Sequence, residues 1–322
     1  MKKSSALAVL TLSVAGFVTV GSTASAAAVP IELCATAGTV TLAGEPAAVP
    51  IWGFGIPTTP GNCATATPSL PGPQLTVNQG DVVTLTVHNT LPAGSLPHAI
   101  QLEIPGIAFA PGPVDAPVGG TATVSFTAAA PGTYEYQSGG DAGRQEAMGL
   151  AGALVVRPPV AGQAYGSVTT TFDVEATLVL GAVDPAFNAA PDTFDLYAYR
   201  ARAWLINGRP YPNAGITATA GQRLLLRYVN AGYDNTSMAL LGAHQRVVAR
   251  DARLLNNPFL AATETIPAGA TEDAIVTVPS GAAPSPLGFP LYNRNLHLTN
   301  GPQTGTGPAP ASGGGMLTFI HP

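Results

Sequence analysis

After Cys63 the chain has no cysteine at all, and only Cys34 precedes it. This absence removes thiolate nucleophiles, CxxC redox pairs and thiolate metal ligands from most of the sequence. Charge is also scarce, at 10% of residues, and the formal net charge is −5 with no basic cluster. An acidic chain of this kind argues against nucleic acid and against anionic membrane surfaces as partners. Long amphipathic helices are excluded by 37 Gly and 31 Pro spread along the chain, because each interrupts a helical run. Neither a Gly-x-Ser-x-Gly elbow nor an HExxH pair is present, so the common hydrolase signatures are missing. Histidine is confined to His88, His98, His244, His297 and His321, and no two have HxH or HxxxH spacing.

Long hydrophobic runs are equally rare. The single one, Ala6 to Val20, follows Lys2-Lys3 and precedes Ala24-Ser25-Ala26. A charged start, an apolar centre and an A-x-A site predict a secretory signal peptide over residues 1–26, cleaved near Ala26. A transmembrane anchor is the alternative, but it needs about 20 apolar residues. The chain is therefore expected outside the cytoplasm, secreted or periplasmic, without membrane insertion. In an exported protein, Cys34 and Cys63 read as a disulfide. A closed loop of this length is worth about 3–4 kcal/mol in the chain-entropy account. A metal or redox pair is the alternative, and its spacing is wrong for CxxC chemistry.

What remains is β-sheet material. Hydrophobic residues make up 46% of the chain, enough for a sizeable core. In Asp81–His88, Val83, Leu85 and Val87 point one way and Thr84, Thr86 and His88 the other. Thr121–Phe126 alternates in the same manner. The chain also repeats itself: Leu75-Thr76-Val77 with Gly80 and Asn89 returns as Ile216-Thr217-Ala218 with Gly221 and Asn230, in the same register. Pro117-Val118-Gly119-Gly120 is echoed by Ile266-Pro267-Ala268-Gly269. These observations predict an all-β chain of two tandem sandwiches, residues 27–157 and 158–322, divided near Arg157-Pro158-Pro159.

The strand motifs carry a family resemblance. Pro71-Gly72-Pro73-Gln74-Leu75-Thr76-Val77 with Asn89-Thr90-Leu91, and Pro131-Gly132-Thr133-Tyr134-Glu135-Tyr136 with Gly149–Val156, resemble the first domain of multicopper oxidases. Leu205–Pro212 and Leu226–Gly232 resemble the second domain. The resemblance implies cupredoxin-like Greek-key folds for both halves and, in the family, copper held by histidines. The family's HxHG stretch falls on Glu103-Ile104-Pro105-Gly106, and its YxYHxH stretch on Tyr134–Gly139. Glu103, Pro105, Gln137 and Gly139 thus occupy the positions of the four ligands. The HCH-type motif of the electron-entry copper site has no counterpart, because no cysteine follows Cys63.

The expectation is a chain with degenerate copper-ligand motifs, no catalytic residues and no bound cofactor. It would act as a binding or structural protein, with a protein partner or copies of itself at the cell surface. The competing reading is a copper-dependent oxidoreductase with an unusual or inter-subunit site, in which some of the five histidines converge. A carbohydrate-binding sandwich would need exposed aromatic rings, but Trp52 and Trp204 are expected to be buried. Tyr134 and Tyr136 share one strand face, so core packing is expected of them. Ligand binding by these rings is the alternative, with Arg144 and Gln137 alongside. Glu103, Asp115, Glu135, Asp141 and Glu146 gather loosely in the same region and read as solvated loop carboxylates. An acid–base pair is the other reading.

Overall fold

The computed structural model describes residues 27–300 and 314–322; the expected signal peptide, residues 1–26, lies outside these. Alternation builds the first half directly into β-structure. Its strands begin with β1 (Ala28–Val40), β2 (Val49–Gly55), β3 (Leu75–Asn78), β4 (Val82–Asn89) and β5 (Ile100–Glu103). They continue with β6 (Asp115–Ala116), β7 (Thr121–Thr127), β8 (Gly132–Ser138) and β9 (Ala151–Arg157). A single helical turn, α1 (Arg144–Ala147), lies between β8 and β9. One sheet has the order β2-β1-β4-β7 and the other β3-β9-β8-β5-β6. Val83, Leu85 and Val87 are buried between them, as the period of two requires, with Leu33, Phe54, Tyr136 and Leu154.

The second half repeats this plan. Its strands are β10 (Val174–Val183), β11 (Ala203–Ile206), β12 (Ile216–Thr217), β13 (Arg223–Asn230) and β14 (Thr236–Leu240). After them come β15 (Gln245–Arg250), β16 (Arg253–Ala261), β17 (Thr263–Ile266), β18 (Thr271–Thr277), β19 (Phe289–Asn293) and β20 (Leu317–His321). The sheets run β11-β10-β13-β18-β15-β16 and β12-β20-β19-β14-β17. β1 pairs parallel with β4 and antiparallel with β2; β10 does the same with β13 and β11. The chain is thus nearly all β, in two cupredoxin-like sandwiches.

The repeated Asn at the strand exit has a specific task. Asn89 Nδ2 donates to the carbonyls of His98 and Ala116, and its Oδ1 accepts from Leu91 N. Asn230 donates to Asp234 and Ile266 and accepts from Gly232 N. Both side chains are 1% exposed, so each satisfies backbone groups that water cannot reach. The disulfide Cys34–Cys63 forms as expected, with Cα atoms 5.6 Å apart, and ties β1 to the loop after β2. No helix among the described residues is long and apolar enough to cross a membrane.

The sandwiches meet through their outer faces. Tyr134 and Tyr136 of β8 point into the first core, so Thr133, Glu135 and Gln137 point out, toward β13 and β18. Ala153 of β9 packs there with Val179 and Val229. Arg227 is completely buried at this junction; its Nη1 donates to Asp273 Oδ2 and to Thr133 Oγ1, each at 2.9 Å, and its Nε pairs with Glu175. Tyr165 donates to Asp273 at 2.6 Å, and Arg157 reaches Glu175 at 2.6 Å. The residues after β9 are therefore fastened to the second sandwich.

Candidate functional site

The antiparallel pairing of β5 with β8 sets Glu103 directly opposite Gln137, and the chain leaves β8 through Gly139. These three positions come together. A Cβ built on Gly139 would stand 3.1 Å from Glu103 Oε1, so the exposed Glu103 carboxylate lies beside this position. Pro105 lies apart, at the turn that faces Arg253 and Thr271 of the second half. Together the four positions offer one carboxylate and one carboxamide. Copper is held by imidazole nitrogen and thiolate sulfur, so these residues do not fit it.

Glu135, one step back along β8, corrects the expectation of a solvated loop carboxylate. It is 2% exposed, and neither carboxyl oxygen has a hydrogen-bond partner among the described residues. Burial pushes its pKa well above the usual carboxylate range, and the neighbouring charge of Glu146 adds to the shift. Glu146, half-buried on α1, is raised by burial and then by Glu103. Across the junction, burial and Glu146 push the Tyr233 phenol up to about 12. The outer face of β8 therefore turns toward the second sandwich a carboxyl group, Glu135, whose neutral form burial favours.

Tyr134 and Tyr136 lie in the first core, whereas Arg144 faces the second half. Tyr134 donates to Ala130 O at 3.0 Å and Tyr136 to Pro73 O at 2.6 Å, both inside the first core. Gln137 faces the opposite side of the strand. Arg144 donates through Nη1 to the carbonyls of Pro191 and Phe194, at 3.1 and 3.0 Å, and so fastens α1 to the second half. Trp52 and Trp204 are buried as expected, at 5% and 8% exposure.

Nor do the histidines meet. His88 lies on the polar face of β4, 2.5 Å from Glu32 and 3.0 Å from Thr121 Oγ1. His244 is exposed beside the start of β15, and His321 lies on β20 near Phe319. The alternation Leu296-His297-Leu298 reads as a strand, yet His297 lies in the loop after β19, where Leu296 adopts φ +65° and ends the extended run. Its ring stacks on Trp204 at 4.1 Å, and burial lowers its pKa. Among the described residues, no three His, Cys, Asp or Glu side chains stand close enough to hold a metal ion.

His98 is the one histidine with a strong local task. Its ring packs on Trp52 at 4.6 Å, with Nδ1 2.7 Å from Pro92 O and Nε2 2.8 Å from Asp192 Oδ1. Both nitrogens face acceptors, so the imidazolium form fits the site. Burial pulls its pKa down, but the bonds to Pro92 and Asp192 outweigh that and leave it raised. Asp192 also accepts from Ser95 N and Oγ, which clasps the loop after β4 to the second half. Gln145 plays the corresponding part inside the loop after β8: Oε1 accepts from Ser138 Oγ, and Nε2 donates to Ala99 O and Asp141. The sequence gives no sign of either task, because His98 depends on Asp192 and Gln145 on Ala99, both far away in the chain.

Comparison with known proteins agrees with this architecture. Residues 57–161 match the family model described as multicopper oxidase. A blue copper oxidase from Nitrosomonas europaea superposes with a TM-score of 0.74 at 20% identity, covering 91% of this chain and 86% of that one. A copper nitrite reductase from the same organism gives a TM-score of 0.68 at 18% identity, covering 91% and 94%. A multicopper oxidase from Pseudomonas thermotolerans gives 0.66 at 22% identity, covering 92% and 68%. The likeness extends over both sandwiches at the level of fold, and the family match covers the greater part of the first.

Proposed function

We propose that this chain is an exported two-domain cupredoxin protein that has lost the copper-ligand histidines of multicopper oxidases and serves as a non-catalytic binding or structural protein. The observation that carries this reading is the donor set at the ligand-equivalent positions, where Glu103, Gln137 and Gly139 come together without an imidazole among them. A histidine restored at 139 would meet the Glu103 carboxylate. The absence of any cysteine after Cys63 supports the same reading for the electron-entry copper site. Its partner is a protein, either a second chain or copies of itself, at the cell surface; the net charge of −5 disfavours nucleic acid.

Oxidation of a phenolic dye by protein exported in copper-supplemented medium tests the non-catalytic part. The expected rate equals that of the copper-free buffer control. Turnover that scales with protein-bound copper would overturn the reading in favour of a copper oxidoreductase with an unusual or inter-subunit site.

A further inference from the structure

A groove of about 790 Å³ opens between the sandwiches, lined by residues of the loop before β3, by β10 and by the loop after β11. It shares no lining residue with the four ligand-equivalent positions. Its size lies within the roughly 300–1,000 Å³ of small-molecule sites, which favour domain junctions. Arg209 is the one charged residue lining it, and no carboxylate does.

Of the guanidiniums without a partner among the described residues, those of Arg209, Arg253 and Arg294, only that of Arg209 lines this groove. Arg157, Arg202, Arg227 and Arg250 face carboxylates, and Arg144, Arg200 and Arg246 donate to carbonyls. The Arg209 guanidinium has no hydrogen-bond or ion-pair partner among the described residues. A guanidinium presents a rigid planar fork suited to a carboxylate or phosphate. In an acidic protein, a groove free of carboxylates leaves that fork for an external anion.

The backbone that carries Arg209 is also held in place. Arg209 follows the turn Asn207-Gly208, whose φ angles are +51° and +73°. Asn207 Oδ1 accepts from Val179 N at 2.8 Å, and its Nδ2 donates to Thr177 O at 2.9 Å. Gly208 presses on Leu70 so closely that any Cβ would overlap the Leu70 carbonyl oxygen. Beside Arg209, Pro71, Pro210 and Pro212 supply flat apolar walls, and the Tyr211 ring is supported by Phe319 at 5.7 Å.

We propose that this groove binds a small organic anion with a flat apolar body, an aryl carboxylate being the simplest example. Its carboxylate would lie in the Arg209 fork and its ring between the prolines and Tyr211. This goes beyond the function proposed above and stands whether or not that reading holds.

Calorimetric titration of the purified chain with 2-naphthoate tests it, with neutral 2-naphthamide as the matched control and the Arg209→Ala, Arg209→Lys and Arg253→Ala variants alongside. Arg209 is exposed, so its replacement leaves the fold intact. The expected result is saturable one-to-one binding of naphthoate, weakened roughly tenfold or more in Arg209→Ala. Arg209→Lys is expected to weaken it by less, and Arg253→Ala to leave it unchanged. Equal affinity for naphthamide, undiminished binding by Arg209→Ala, an equal loss in Arg253→Ala, or no saturable binding of naphthoate would each overturn the proposal.

Discussion

Arg227 shows how much of this protein rests on single polar residues at the junction. It is fully buried, and its partners Asp273, at 1% exposure, and Thr133 come from opposite sandwiches. Truncating it would leave the Asp273 carboxylate buried without its cation, which costs more than the pair contributes net. Arg227→Ala is expected to lower unfolding stability by about 3–5 kcal/mol in urea titration, whereas Asp273→Asn, which removes the charge but keeps hydrogen-bonding capacity, costs less. In the sequence, Arg227 figures only within Leu226–Gly232 and carries no assigned task. Period two assigns a face to each residue; it does not say what will cover the outer face. Glu135 was misread for the same reason. Alternation on β8 put it outside the first core, and only the second sandwich turns that outside into an interior.

At the scale of elements, the sequence reading went further. β4 and β7 were legible because apolar residues alternate with Thr or Ser along them, and β13 because the Gly and Asn that bound β4 recur around it. His297 failed the same reasoning, since one residue at positive φ overrides an apolar alternation that is otherwise compatible with a strand. The clasp between the loop after β4 and Asp192 was not legible at all, and it is where pH should act. A histidine with a raised folded pKa contributes stability that is full below its unfolded value near 6.5 and is lost as pH rises through the folded pKa. Asp192, lowered by its bonds to His98 and Ser95 against the opposing effect of burial, contributes above its unfolded value near 3.8 and loses that contribution in acid. The stability deficit of Asp192→Asn relative to the parent should therefore be largest between these limits and shrink above neutrality. Urea midpoints measured across that range check it; a deficit that grows with alkalinity would contradict the clasp.

For the whole molecule, the two-sandwich plan was readable as an internal repeat, and the structural neighbours share it across about nine-tenths of the chain. How the sandwiches dock was not readable, because that depends on β8, β9, β10, β13 and β18 presenting matched outer faces. One consequence is global. Glu135 is buried in this junction with a pKa well above 4.5, so its protonated form favours the docked state. That contribution is present below the unfolded carboxylate pKa and is lost as pH rises through the folded value. Glu135→Gln, which stays neutral, should match the parent in acid and exceed its stability in base. Thermal melts at paired acid and alkaline pH read this out, and a variant less stable than the parent in base would contradict it.

The central claim concerns copper, and the copper content of the exported chain tests it most directly. The protein would be loaded with excess copper under oxidising conditions, desalted, and measured by elemental analysis alongside electron paramagnetic resonance. The donor set of Glu103, Gln137 and Gly139, with no imidazole among them, predicts folded protein without stoichiometric copper. One or more tightly held copper ions per chain, giving a protein-derived resonance that survives desalting, would contradict it.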